Sequence, residues 1–258
     1  MNAVSTNDLH QWLNTILQPQ RFRDYCPNGL QLEGKPEIRH IITGVTASQA
    51  LIDAAAQRGA DAVLVHHGWF WKNEDPCIRG PKHRRIAQAI AHGLNVFAYH
   101  LPLDAHPELG NNAQLGRILG FEPERTPEGE PMRCGPEDLI WIGRVPEGAT
   151  LESLAGQVHN SLGRAPLFVG NPQQSVRRIA WCTGGAQGMM EAAVQAGADA
   201  YLTGEASEQN FHLAHETGTG FIAAGHHATE RYGVKALGEA VAREFGIRVE
   251  FLDLDNPI

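Results

Sequence analysis

Residues 41–67, "IITGVTASQALIDAAAQRGADAVLVHH", can be laid without a gap on residues 179–205, "IAWCTGGAQGMMEAAVQAGADAYLTGE". About ten positions are identical, among them the block "GADA" and the glutamine pairs Gln49/Gln187 and Gln57/Gln195. An internal repeat of this kind constrains the fold more than any single motif, because both copies must be built the same way. Each opens on a short apolar run (41–45 and 179–183) that ends at a turn of small residues. An amphipathic helix follows, with Leu51, Ile52 and Ala55 on the apolar face of one copy and Met189, Met190 and Ala193 on that of the other. Methionines in such a stripe read as core packing. Gly59 and Gly197 then supply the residue after the helix, where a left-handed conformation is needed. A second strand begins at "ADA". Strand–helix–strand in this length is a right-handed crossover unit, so each half is expected to build an α/β layer.

The similarity continues downstream. A helix (83–93 or 210–218) leads to another apolar strand, "LNVFAYH" or "GFIAAGHH". Those strands run into "HLPLD" (100–104) and "HHATE" (226–230), each with a histidine four residues before a carboxylate. The expected fold class is therefore α/β: two related halves, with a metal site at the carboxyl ends of the strands between them. The expected domains are 1–127 plus 230–258 for the first half and 128–229 for the second, with an acidic, proline-rich stretch at 122–137. A last helix over about 229–245, with Val234, Leu237, Val241 and Phe245 on one face, and the strand "IRVEFLDL" close the structure. At the other end, Asn7 or Asp8 is expected to cap a helix that buries Leu9, Trp12, Leu13 and Leu17.

Composition narrows the function. A net charge of -8 argues against a non-specific nucleic-acid binder, which needs clustered Lys and Arg. The one dense basic stretch, "RGPKHRR" at 79–85, reads as a solvated loop and helix start, with a phosphate site as the alternative. Four dispersed cysteines form no CxxC pair, which excludes a zinc knuckle and disfavours a disulfide framework. The first residues lack the basic and apolar regions of a signal peptide, and no apolar run approaches the roughly 20 residues a bilayer span needs. A cytoplasmic protein without a membrane partner is expected.

Ligands of open α/β sheets collect beyond the carboxyl ends of the strands. The histidines and carboxylates fall there: His66 and His67 after "AVLV", Asp104 past "NVFAYH", His226 after "FIAAG", and Glu230 four residues on. Imidazole with carboxylate is a ligand set of zinc, iron, manganese and nickel. Five such groups exceed the need of one tetrahedral ion that also binds water, and suffice for two ions when a carboxylate bridges them. His100 matches His226 in the repeat, and both a supporting and a catalytic role stay open for it. His227 is expected to point away.

The stretches "PNGLQLEG" (27–34), "VHHGWFW" (65–71), "YHLPLDAHPELGNNAQLG" (99–116), "TGE" (203–205) and "GHHATERYG" (225–233) closely resemble the dinuclear-metal-centre, or NIF-three-like, family. That family is also known as the GTP cyclohydrolase I type 2 homologues. The resemblance covers nearly the whole chain. It implies a toroidal homohexamer with metal pairs facing an inner cavity. It implies as ligands His66, His67, Asp104, His226 and Glu230, the last as the bridge, and two divalent ions per chain.

Two ions sharing a carboxylate activate water next to an electrophile, so hydrolysis is the natural reaction. The resemblance implies a nucleotide as the small-molecule substrate, by opening of the GTP imidazole ring. The residues themselves leave a phosphoester or an amide equally open, since the chain has neither a P-loop nor a GxGxxG turn. Trp69, Phe70, Trp71 and Tyr99 are candidates to stack a base or to pack a core. Lys82, Arg84 and Arg85 are candidates to meet phosphates, and His100 to act as general acid or base. The competing class is a metal-binding scaffold or interaction protein without turnover.

Overall fold

The computed structural model describes residues 2–258, which divide into two compact units. The first comprises residues up to 110 and 233–255; the second comprises 111–232 and 256–258.

The first unit is built on a five-stranded sheet in the order Arg248–Phe251, His40–Thr46, Ala62–His67, Asn95–Ala98, Gly29–Leu32. The first four strands run parallel and the last is antiparallel. Alternate residues of the central strands serve opposite faces, as in a sheet covered on both sides. Ile41, Val45, Ala62, Leu64, Phe97 and Tyr99 join one buried cluster; Ile42, Val63, Val65, Val96 and Ala98 join another. Leu9, Leu13 and Leu17 of the helix Thr6–Leu17 cover the first face, with Val234, Leu237 and Val241 of the helix His226–Phe245. Leu51, Ile52 and Ala55 of Gln49–Gln57 and Ile86 and Ala89 of Gly80–Ala91 cover the second.

The first helix is capped by Ser5, not by Asn7 or Asp8: its Oγ accepts from Asp8 N at 3.0 Å. The reason is non-local. Val4–Ser5 pairs with Glu37–Ile38, and Thr6 N donates to the Pro36 carbonyl, which fixes where the helix can begin.

The second unit contains a seven-stranded mixed sheet. Its centre, Arg178–Trp181, Ala200–Thr203 and Gly220–Ala223, is parallel, and antiparallel strands flank it on both sides. Ile179, Trp181, Ala200, Leu202 and Ile222 pack with Leu151, Leu154, Val158 and Leu162 of the helix Leu151–Leu162. The helix Asn111–Ile118, placed with the first domain by sequence, contributes Ala113 and Leu115 to this core. A Cβ at its Gly116 would meet the Trp181 ring at 2.9 Å, so that close approach requires glycine. After the small-residue turn, a short 3₁₀ turn precedes the helix Met190–Gln195, which buries Met190 and Ala193. The methionine stripe is shorter than the sequence pattern suggests.

The "GADA" block has a physical role in each unit. Asp61 accepts backbone N–H bonds from Arg39 (2.9 Å) and His40 (3.2 Å), and Asp199 accepts them from Arg177 and Arg178 (2.9 Å each). Each aspartate thus anchors the start of the neighbouring parallel strand. Among the described residues, no helix is long and apolar enough to cross a membrane.

Candidate metal centre

In the first unit the donors stand at the ends of two adjacent parallel strands. His66 and His67 are the last residues of Ala62–His67, and His100 follows Asn95–Ala98. One ligand atom from each of His66, His67 and His100 lies within 4.8 Å of the others. Asp104 sits on the short helix Leu101–Ala105, with Oδ1 3.5 Å from His66 Nε2. His66 is fully buried and Asp104 nearly so.

The segment "PNGLQLEG" and the aspartate before it hold this arrangement. Asp24 Oδ1 takes the His100 ring at Nδ1 (2.7 Å), while its Oδ2 accepts from Leu101 N (3.0 Å) and Asn28 Nδ2 (2.9 Å). Asn28 Oδ1 accepts from His100 N at 2.7 Å. Gln31 brackets the loop after the histidines: its Oε1 accepts from Trp69 N (2.7 Å) and its Nε2 donates to the Trp69 carbonyl (3.1 Å). Gly68 leaves room for that amide, since a Cβ there would collide with the Gln31 side chain.

Burial opposes charge on Asp24, but the His100 bond and charge, with the amides of Asn28 and Tyr25, hold its carboxyl below the usual range. Burial first, and the Asp24 charge second, push the neighbouring Cys26 thiol up to about 12. With Asp24 already accepting four hydrogen bonds, the group Asp24, Cys26 and His100 orients an imidazole rather than offering a cradle of its own.

In the second unit the donors again follow parallel strands. Glu205 comes after Ala200–Thr203, and His226 opens the helix that carries Glu230 one turn later. His226 Nδ1 meets Glu205 Oε1 at 2.7 Å, and His226 Nε2 meets Glu230 Oε2 at 3.2 Å. Gln187 Nε2 donates to Glu205 Oε2 (3.1 Å). Gly184, at φ +68°, makes space for the buried Glu230: a Cβ there would run into its carboxylate. Thr229 Oγ1 accepts from Gly184 N (3.0 Å) and locks this turn to the helix. Burial of the His226 ring disfavours its charge, yet Glu230 and then Glu205 overcome it and raise its pKa to about 9. The adjacent His227 donates its backbone N–H to the Ile258 carbonyl.

One pattern runs through both sets. Nδ1 of His66 meets the Tyr99 carbonyl (3.0 Å), that of His67 the Thr46 hydroxyl (3.3 Å), that of His100 Asp24, and that of His226 Glu205. A carbonyl or carboxylate can only accept, so three of the four rings carry hydrogen on Nδ1; in two of them Nε2 then faces a carboxylate of its own unit, Asp104 for His66 (3.5 Å) and Glu230 for His226 (3.2 Å). Partners of this kind fix tautomer and orientation in metal-binding histidines. Imidazole nitrogen with carboxylate oxygen suits a divalent transition ion, so the residues fit the group that the sequence implies.

Asp24 and Glu205 carry roles that sequence reasoning missed. Glu205 lies inside the recognised "TGE" stretch, and Asp24 just before "PNGLQLEG". Of the basic stretch, Lys82 Nζ binds Glu74 (3.2 Å) and the Asp75 carbonyl (3.1 Å), and Arg79 binds Asp75. Of the aromatics, Trp69 and Tyr99 are core residues: the indole donates to the Ala47 carbonyl (2.9 Å) and the phenol to Asn14 Oδ1 (2.7 Å).

An α/β chain that gathers oriented imidazoles and buried carboxylates past its parallel strands is, by class, a metal-binding α/β protein. Comparison with known proteins agrees. The Duf34/NIF3 (NGG1p interacting factor 3) family profile matches residues 4–257, and the chain belongs to that family. The GTP cyclohydrolase 1 type 2 homolog of Pseudomonas aeruginosa is 52% identical over 256 residues, 99% of each chain. That of Allochromatium vinosum is 50% identical over 262 residues, 100% of each. The solved structure of protein ybgI, described as of unknown function, superposes with a TM-score of 0.91 at 46% identity, covering 99% of this chain and 100% of that one. Protein TTHA1606 from Thermus thermophilus gives 0.84 at 33% identity, with the same coverage.

Proposed function

We propose that this protein is a metal-dependent hydrolase of the GTP cyclohydrolase I type 2 kind, acting on a nucleotide. His66, His67, Asp104, His226 and Glu230 would hold two divalent ions. The observation that carries the proposal is the engagement of Nδ1 in all three ligand imidazoles, His66, His67 and His226, which makes Nε2 the atom each can offer an ion. The names of the relatives and the motif resemblance support the reaction class. When bound, such ions supply Lewis acidity and lower the pKa of water.

The chain's own residues do the rest. Burial of His66, Asp104 and Glu230 limits competing water. His100, held through Nδ1 by Asp24, has its ring 5.1 Å from that of His66 and 5.7 Å from that of His67, the position for moving a proton at the reacting group. The same proposal takes the two halves as copies of one α/β layer, supported by the matching bonds of Asp61 and Asp199. It also includes the toroidal hexamer, which would give exposed apolar side chains such as Ile78 and Ile90 a partner. Light scattering should then report about 170 kDa, six chains of 28.1 kDa.

The deciding experiment is turnover by metal-reconstituted protein on a panel of nucleotides, phosphoesters and peptides, with elemental analysis of the same sample. About two ions per chain and metal-dependent release of product are expected. Tight metal binding with no turnover on any substrate would replace this proposal with the scaffold reading.

A further inference from the structure

The three aromatics of "WFW" have three different fates, set by one backbone angle. Phe70 stands at φ +67°, a left-handed conformation that bulky side chains rarely adopt and that clusters at functional sites. Trp69 before it is buried in the core. Phe70 itself lies under Lys82, whose Nζ is 5.1 Å from the ring centroid. Trp71 after it emerges half-buried against the donor cluster, 5.0 Å from the His100 ring at 85° and 5.9 Å from the His67 ring at 57°. Neither contact is a parallel stack, so neither covers a whole face of the indole.

A second aromatic flanks the same imidazole. The Tyr25 ring lies 5.8 Å from His100 and is 51% exposed, a large apolar surface outside any of the buried clusters. Its position is held by backbone: Lys72 N donates to the Tyr25 carbonyl (2.6 Å), and Tyr25 N to Asp24 Oδ1 (2.6 Å). Two chain segments are thus tied together at the point where each offers an aromatic ring beside His100.

We propose that Trp71 and Tyr25 form a stacking platform for a planar heteroaromatic ring, and so determine which substrates are held against the His66, His67 and His100 cluster. The inference rests on the hydrolase reading for what happens to the ring afterwards, but not for its binding. Stacking suits the geometry because both rings offer π-faces beside His100, and stacking reads the plane of a ring rather than its edge, so such platforms accept many bases.

The test uses metal-loaded full-length protein and two probes that differ only by the base, guanosine 5′-monophosphate and ribose 5-phosphate, measured by calorimetry. Wild type should bind the nucleotide more tightly. Trp71→Leu should weaken nucleotide binding about tenfold and Tyr25→Leu by a smaller factor. Trp71→Phe should stay within about threefold of wild type, because the π-face is retained. Ribose phosphate affinity and metal content should be unchanged in all three. Tyr25→Leu guards against a folding defect at Trp71, since the phenol is half in solvent. The proposal is overturned if the base adds no affinity in wild type, if both leucine variants bind the nucleotide normally, or if both probes weaken equally. Turnover is scored on the same samples. Base-dependent binding without metal-dependent turnover would sink the hydrolase reading and leave the platform standing. Metal-dependent turnover of a nucleotide without base-dependent binding would do the reverse.

Discussion

Gly184→Ala should damage metal binding without touching a ligand. Gly184 and Gly59 share nearly the same left-handed backbone, φ +68° and φ +64°, but differ in what surrounds them. A Cβ at Gly59 would meet nothing within 4 Å, whereas one at Gly184 would overlap the Glu230 carboxylate and come within 3.2 Å of His226 Nε2. Alanine at either site carries a conformational cost of about 1–2 kcal/mol. At roughly 2–4 °C per kcal/mol for a chain of this size, each variant should melt about 2–8 °C lower. Gly184→Ala carries an additional effect: Glu230 is buried, and its side chain must turn away from the position it shares with His226. Disturbing the surroundings of a metal ligand typically costs 10–100-fold in affinity. Gly59→Ala should therefore keep the wild-type gain in melting temperature on adding metal, about 2.7 kcal/mol when the ion is at a hundred times its Kd. Gly184→Ala should lose most of that gain and retain less metal after dialysis. Thermal melts with and without metal, together with elemental analysis, decide the matter. Equal metal content and equal metal-induced stabilisation in the two variants would refute the reasoning.

Asp24→Asn should lower kcat about tenfold or more while KM and metal content hold, because the amide lacks the charge that holds the His100 ring and turns an NH2 group toward donors that both carboxylate oxygens now satisfy, while no ligand is touched; a proportional loss of metal would show a ligand-holding role instead. Metal affinity should rise with pH and level off near 9, since an ion must displace the proton that Glu230 and Glu205 hold on His226. Glu205→Gln should move that plateau to lower pH, and a Kd independent of pH in calorimetric titrations would contradict the argument. Asp61, whose carboxyl is held below the usual range against burial by Lys35 and by backbone N–H groups, stabilises the fold above its unfolded pKa of about 4. Asp61→Asn should lower the melting temperature at neutral pH, and the difference should vanish as acid protonates the wild-type carboxyl; a gap that persists in acid would assign the effect to packing.

The elements that read clearly from sequence are those whose signal is local and repeated. The parallel strands and the helices between them follow from apolar periodicity and from the glycines at helix ends. Gly59 and Gly197 take the left-handed conformation expected of them. What sequence hid is decided by distant partners. Ser5, Asn7 and Asp8 are comparable caps, and a bond to Pro36 selects the first. Asp24 is 76 residues from the imidazole it holds, so nothing near "HLPLD" announces it. The basic stretch at 79–85 loses part of its availability to Glu74 and Asp75, whose contact depends on how the intervening loop closes. Three adjacent aromatics at 69–71 are equivalent as letters; the backbone at Phe70 separates core from cluster.

The bonds at Nδ1 have a consequence for how metal is acquired. In a zinc finger the ion organises its own ligands, and removing it unfolds the domain. Here a carbonyl, a hydroxyl and two carboxylates set the rings within sheets that already have their own buried cores. Such a centre is a socket rather than a nucleus of folding. An ion bound there would leave and exchange while the cradle keeps its shape. Mixed nitrogen and oxygen donors accept several first-row metals, with preference set as much by supply as by affinity. The ion recovered from a given preparation would then report the growth medium as much as the protein, and activity would have to be compared across metals at matched occupancy.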